Sequence, residues 1–184
     1  MYTTKRYQAT IPVSDYLRDY VDIPTFLECC KKCHNYETKW SCPSYDFDVL
    51  EYWQKYRVFD LTAIKIIFDK DYAGKTFSEE ELQHIMEASV HRIKQELSDE
   101  LLEKEKEYKG SISLSAGSCI RCGGNCIRKE KKPCRFPEKL RYSIESLGGN
   151  VGLTISRLMG IKLEWIEEGK LPSYFVLVCG LLHL

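Results

Sequence analysis

The chain has 184 residues, 27 basic and 27 acidic side chains for a formal net charge of zero, and 12 tyrosines, 7 phenylalanines and 3 tryptophans. That length suits one domain spanning residues 1–184 with a sizeable core, the neutrality argues against a globally basic nucleic-acid binder, and the aromatic content excludes a disordered chain. Nine cysteines are the anomaly, because an odd number cannot all pair within one chain and a core of this size needs no crosslinks.

Residues Met1–Tyr7 carry charge but never reach the roughly 7–15 residue apolar core of a secretory signal. The most apolar run, Tyr174 to Leu184, is about half of the ~20 residues a membrane helix needs. A cytoplasmic protein with no membrane partner is expected, and in that compartment clustered thiols more often hold metal or do chemistry than pair.

Residues 1–20 alternate polar and aromatic positions without a sustained period, and no element is assigned to them. Cys29, Cys30, Cys33 and Cys42 follow in the stretch ECCKKCHNYETKWSCPSYD, which has neither helical nor strand period and reads as a loop. Asp46 is placed to cap a short helix carrying Phe47, Leu50 and Trp53. In VFDLTAIKIIFDKD, Ile64, Ile66 and Phe68 share one face, and the β-branched content predicts a central strand. Ser78 and Glu81 form a capping box with acids in the first turn. Beyond it Leu82, Met86, Val90, Ile93, Leu97 and Leu101 recur every three or four residues. The spacing predicts one helix from about 79 to 107, stopped by Gly110.

A short strand is expected at 111–115, and the segment 119–134 is again aperiodic. Pro137 is placed to begin a helix with Leu140, Ile144 and Leu147, ended by Gly148-Gly149. Asn150 opens another with Val151, Ile155 and Leu158, ended by Gly160. Residues 161–170 read as a strand–turn piece and 173–182 as a buried strand. The fold class is α+β (or three-layer α/β), with a small mixed sheet, a long central helix and two cysteine-rich loops.

The stronger thiol pattern is CIRCGGNCIRKEKKPC, with Cys119, Cys122, Cys126 and Cys134 spaced C-x2-C-x3-C-x7-C. Close cysteines in a glycine-containing loop can wrap three corners of a cubane while a more distant one closes the fourth. Gly123 and Gly124 supply the backbone freedom for such a wrap. Structural zinc loops usually present two separated C-x2-C knuckles, and only one is present here. A [4Fe-4S] cluster is therefore expected on these four residues, with zinc as the alternative. The N-terminal set is less regular: Cys30, Cys33 and Cys42 are three candidate metal ligands for a second site. Cys29, Cys179 and His34 are the candidates for a fourth, and Cys179 also reads as core packing within YFVLVCGLL. The spacing C-x3-C-x2-C of radical S-adenosylmethionine enzymes is absent, since position 36 after Cys29 and Cys33 is Tyr36.

From Cys119 to Arg141 there are eight basic side chains (Arg121, Arg128, Lys129, Lys131, Lys132, Arg135, Lys139, Arg141) against two acidic ones, Glu130 and Glu138. This is a solvated basic loop, a charge complement to a thiolate-bound cluster, or a site for a redox partner protein or small anionic substrate. Its one aromatic residue, Phe136, does not make the interleaved stacking surface that nucleic-acid binding requires. His84 and His91 lie seven apart on the predicted helix without ligand-spaced partners, and His183 is near the terminus. No catalytic triad, H-E-x-x-H, P-loop or G-x-G-x-x-G motif occurs, so no catalytic residue is assigned.

Two blocks resemble the family of predicted metal-binding proteins known as domain of unknown function 2284. One is Cys30-x2-Cys33-x2-Tyr36-x3-Trp40-Ser41-Cys42-Pro43. The other runs from Ser115-Ala116-Gly117-Ser118-Cys119 through Cys122 and Cys126 to Cys134-Arg135-Phe136-Pro137-Glu138 and on through Arg141-Tyr142-Ser143-Ile144-Glu145-Ser146-Leu147-Gly148. The resemblance covers roughly residues 20–180. It implies a cysteine-ligated metal or iron–sulfur protein of the kind found in anaerobic bacteria and archaea, with no settled reaction. Two departures stand out: Ser44 replaces the second proline of a Cys-Pro-Pro, and Phe136 stands where the family commonly has histidine, so no imidazole role carries over there. The functions expected are electron transfer or a small redox reaction, a zinc-stabilised binding or scaffold protein, or an accessory to a corrinoid or methyl-transfer system.

Overall fold

The computed structural model describes residues 1–184. Its frame is a four-stranded sheet in the order β1-β2-β4-β3, formed by Tyr2–Pro12, Val58–Phe68, Tyr174–His183 and Ile112–Leu114 respectively. All three strand pairs are antiparallel, so the parallel ladders of a mixed sheet are absent from it. Strand β2 is central, as its composition predicted, and pairs along its length with β1 and β4.

Successive side chains of β2 point to opposite faces, and both faces are covered. Phe59, Leu61 and Ala63 face one core with Tyr16, Trp53, Leu147 and Ile155. Ile64, Ile66 and Phe68 face the other with Ile85, Val90, Leu97 and Leu101. Helices α1 (Val13–Tyr20), α2 (Ile23–Lys31) and α3 (Val49–Gln54) follow in chain order, with α5 (Val151–Met159) later in the chain. The intervening helix, α4, runs over Glu79–Met86, widens through a π-helical turn at Glu87–His91 and continues over Arg92–Glu107. It forms the layer on the second face. The capping box of Ser78 and Glu81 is present, and buried Ser89 donates its hydroxyl to the Ile85 carbonyl inside the widened turn. The α+β architecture is as the sequence indicates.

Outside the thiol segments, three local expectations change. Residues 2–20 form an edge strand and a helix. Asp48, rather than Asp46, caps α3 by accepting from Glu51 N–H at 2.8 Å. No helix spans 137–147; only single 3-10 turns form at Pro137–Lys139 and Glu145–Leu147. Tertiary ties override the helical spacing there, because the Tyr142 carbonyl accepts from Ser115 N–H at 2.8 Å and Arg141 is held by Glu105. No helix is long and apolar enough to cross a membrane.

Candidate metal centre

The first thiol segment begins on a helix rather than in a loop. Asp22 caps α2 and Pro24 lies in its first turn, so the helix delivers Cys29 and Cys30 in its last turn. Beyond it the chain folds into successive tight turns, with Cys33 N–H donating to Cys30 O at 3.0 Å, Tyr36 N–H to Cys33 O at 3.0 Å and Cys42 N–H to Lys39 O at 3.0 Å. Cys29 and Cys33 are exposed, Cys30 is half-buried and Cys42 is buried.

The second segment is delivered by β3. The chain turns at Gly123 and Gly124, which adopt φ of 56° and 88°, and all four thiols are half-buried. Cys119, Cys122, Cys126 and Cys134 line a single pocket. Its remaining wall comes in part from the first segment, through Lys39, Trp40 and Ser41, and Phe136 and Leu140 also line it. Backbone N–H groups point at sulfur in both segments, from Asn35 to Cys33 Sγ at 3.5 Å and from Phe136 to Cys134 Sγ at 3.4 Å.

The two segments are stitched together. Cys119 N–H donates to Ser41 Oγ at 3.0 Å, and that oxygen lies 3.8 Å from Cys42 Sγ. Arg128 donates to the carbonyls of Lys39 at 2.8 Å, Pro43 at 3.3 Å, Ser44 at 2.6 Å and also Cys42, with its guanidinium 5.2 Å from the Trp40 ring centre. Trp40 Nε1 donates to Lys132 O at 3.0 Å. Lys94 reaches in from α4 to donate to the Ser118 carbonyl, and Lys39 donates to Ser118 Oγ at 3.2 Å.

Crowded thiols resist ionisation here. Burial pushes the Cys30 pKa up to about 11, reinforced by Cys42, Cys33, Cys29 and Glu145. Burial also raises Cys42, partly offset by Ser41, Lys39 and Arg128, and raises Cys134, whose three loop thiols add to the effect. Burial and neighbouring Lys39 pull the Lys94 ammonium down to about 8, with Cys119, Glu145 and Cys42 acting the other way. A bound cation would reverse the mutual repulsion of the thiolates.

The family model described as Predicted metal-binding protein (DUF2284) matches residues 20–182. The chain belongs to that family. The match includes all nine cysteines of this member. No curated protein and no solved structure matches the chain. The donor chemistry suits a metal-binding protein, since four thiols line one pocket and three more lie on the segment tied to it, while no three His, Cys, Asp or Glu side chains converge on one point.

Not every candidate is brought to the sites. Cys179 is buried in the core beneath α4, where its thiol donates to Thr62 O at 3.6 Å. Burial raises its pKa to about 12, and its charged neighbours are Arg6, Glu100 and Lys104 rather than other thiols. His34, His84 and His91 are exposed, and His183 pairs with Asp60 at 3.0 Å. The basic segment is largely spent on internal ties: Arg121 pairs with Asp99, Arg128 binds the first segment, Lys132 pairs with Glu130, Arg135 donates to Asn125 O and Arg141 pairs with Glu105. Sequence reasoning gave no role to Lys39, Ser41, Lys94 or Glu145, although Ser41 and Glu145 both stand in the blocks that carry the family resemblance.

Proposed function

We propose that the chain is an iron–sulfur protein with a [4Fe-4S] cluster on Cys119, Cys122, Cys126 and Cys134. A second metal or cluster centre lies on Cys30, Cys33 and Cys42, and the pair serves electron transfer or a small redox reaction. The observation that carries this reading is the shared pocket: Cys119, Cys122, Cys126 and Cys134 all line it, as donors to the corners of one extended cluster would.

Electron transfer is supported by the path between the two sets. Cys42 Sγ, Ser41 Oγ and Cys119 N–H follow one another at 3.8 and 3.0 Å, so one hydroxyl bridges a candidate ligand of each centre. The residues do work that a cluster needs: Arg128 fixes the first segment, amides at Asn35 and Phe136 donate to sulfur, and Lys94 and Lys39 place positive charge beside a core that carries net negative charge with four thiolates. Lys129, Lys131 and Lys139 are exposed and make no ion pair, which suits the approach of an acidic redox partner protein or a small anion.

Anaerobic purification tests this. Iron and sulfide in equal amounts, with broad visible absorbance that bleaches on reduction, are expected. A colourless chain with about one or two zinc ions instead supports the zinc-stabilised alternative.

A further inference from the structure

In the N-terminal set three thiols act on Cys30, and so does one carboxyl, that of Glu145. The turn Glu145–Leu147 packs against α2, the helix that carries Cys30. Asp22 N–H donates to Gly148 O at 2.8 Å, and Trp53 Nε1 donates to Leu147 O at 2.9 Å. Gly148 adopts φ 87°, and a Cβ there would lie 2.8 Å from the Ile23 backbone, so the approach of turn and helix requires glycine. These ties hold the turn at the start of α2; Glu145 is half-buried, and its carboxyl acts electrostatically on Cys30 and is acted on by Lys94.

Its Oε2 is shut off from solvent and has no hydrogen-bond partner. A buried carboxyl oxygen left unpaired is costly unless something satisfies it, and an ion is one such satisfier. Lys94, the cation that acts on it, makes no ion pair with it and donates to the Ser118 carbonyl. Cys29, the alternative fourth donor, is exposed and adjacent to Cys30 on the helix, where successive side chains diverge by about 100°.

We propose that Glu145 is the fourth protein donor of the N-terminal centre, binding one iron through its carboxylate beside Cys30, Cys33 and Cys42. This rests on the iron–sulfur reading above. A carboxylate is a harder, more readily exchanged donor than a thiolate, so it marks one iron as the corner at which an oxygen-donor ligand of substrate size can enter.

The test uses the full chain, reconstituted anaerobically with ferrous iron and sulfide, read by iron and sulfide content and by electron paramagnetic resonance (EPR) after reduction. Glu145→Gln is expected to lower iron from ~8 to ~7 per chain where the corner iron alone leaves, or to ~4 where the whole N-terminal cluster is lost, while the C-terminal signal persists. Cys29→Ser is expected to leave both unchanged, and Glu145→Cys to keep the iron with altered resonance positions of one cluster. The metal-free Glu145→Gln chain should be no less stable than wild type, since it lacks the buried carboxyl, so iron loss is not unfolding. If that variant does not fold, Glu145→Cys decides: an unchanged spectrum overturns the assignment and a shifted one supports it. Full iron and an unaltered spectrum in Glu145→Gln overturn the ligand assignment alone. A wild-type chain with iron for one centre, or none, overturns it together with the two-centre reading.

Discussion

Ser41 and Cys119, 78 positions apart in the chain, are joined by a 3.0 Å hydrogen bond from the cysteine N–H to the serine hydroxyl oxygen. Ser41 is buried, and the same oxygen rests against Cys42 Sγ. With Arg128, Trp40 and Lys39, this small side chain ties the two thiol segments together, and four expectations about the structure can be measured.

Replacing Ser41 with alanine leaves the Cys119 amide without its partner. A loss of roughly 1–2 kcal/mol in unfolding free energy is expected from denaturant titration. Both centres should keep their metal, while any magnetic interaction between the reduced clusters changes. Unchanged stability and unchanged spectra together would contradict the bridging role.

Arg128 binds four carbonyls of the first segment, and no lysine can reproduce that fork of donors. Arg128→Lys should cost about 2 kcal/mol, comparable to losing a charge-assisted hydrogen bond. It should also make the N-terminal metal more easily removed by chelator, while the C-terminal metal is released at the wild-type rate. Equal release from both centres in the variant argues against a specific tie.

Two cysteine substitutions separate ligand from core. Cys122→Ala should lose the C-terminal metal and destabilise the chain, because metal binding supplies folding energy to such loops. Cys179→Ala should retain full metal and cost roughly 1–2 kcal/mol by leaving a small cavity beneath α4. Metal loss in the second variant would make Cys179 a ligand and sink its assignment to the core.

Glu105 and Arg141 tie the end of α4 to the exit of the second thiol segment, and both are largely buried. Burial alone would raise the Glu105 pKa, but Arg141 and the hydroxyl and N–H of Ser113 together hold it below the usual value of 4.5. A depressed carboxylate stabilises the fold above its unfolded pKa and loses that contribution as pH falls through the folded value. Wild type should therefore melt above Glu105→Gln at neutral pH, and the gap should shrink as the pH drops below about 4. A gap independent of pH contradicts this.

Much of the frame was legible because its signals are local. The Ser78–Glu81 box, the apolar stripe of α4, the Asn150 cap and Gly160 stop of α5, and the β-branched run of β2 each announce themselves within one element. Strand β1 was not legible, since an edge strand such as TTKRYQAT keeps polar residues on its open positions. Leu140, Ile144 and Leu147 have helical spacing, yet the backbone between them is claimed by Ser115 and Glu105, which lie far away in sequence. The thiol sets themselves were visible from spacing. Their closure by Trp40, Ser41 and Arg128 was not, because each partner lies about 80–90 residues away and only the folded chain brings them together.

The central claim is that the thiols hold iron–sulfur clusters rather than isolated ions. The most direct measurement is iron, acid-labile sulfide and zinc per chain after strictly anaerobic purification. Equal iron and sulfide at ~8 per chain, with negligible zinc, is the expected result for two cubane centres. Zinc at about one or two per chain, with neither iron nor sulfide, would contradict it.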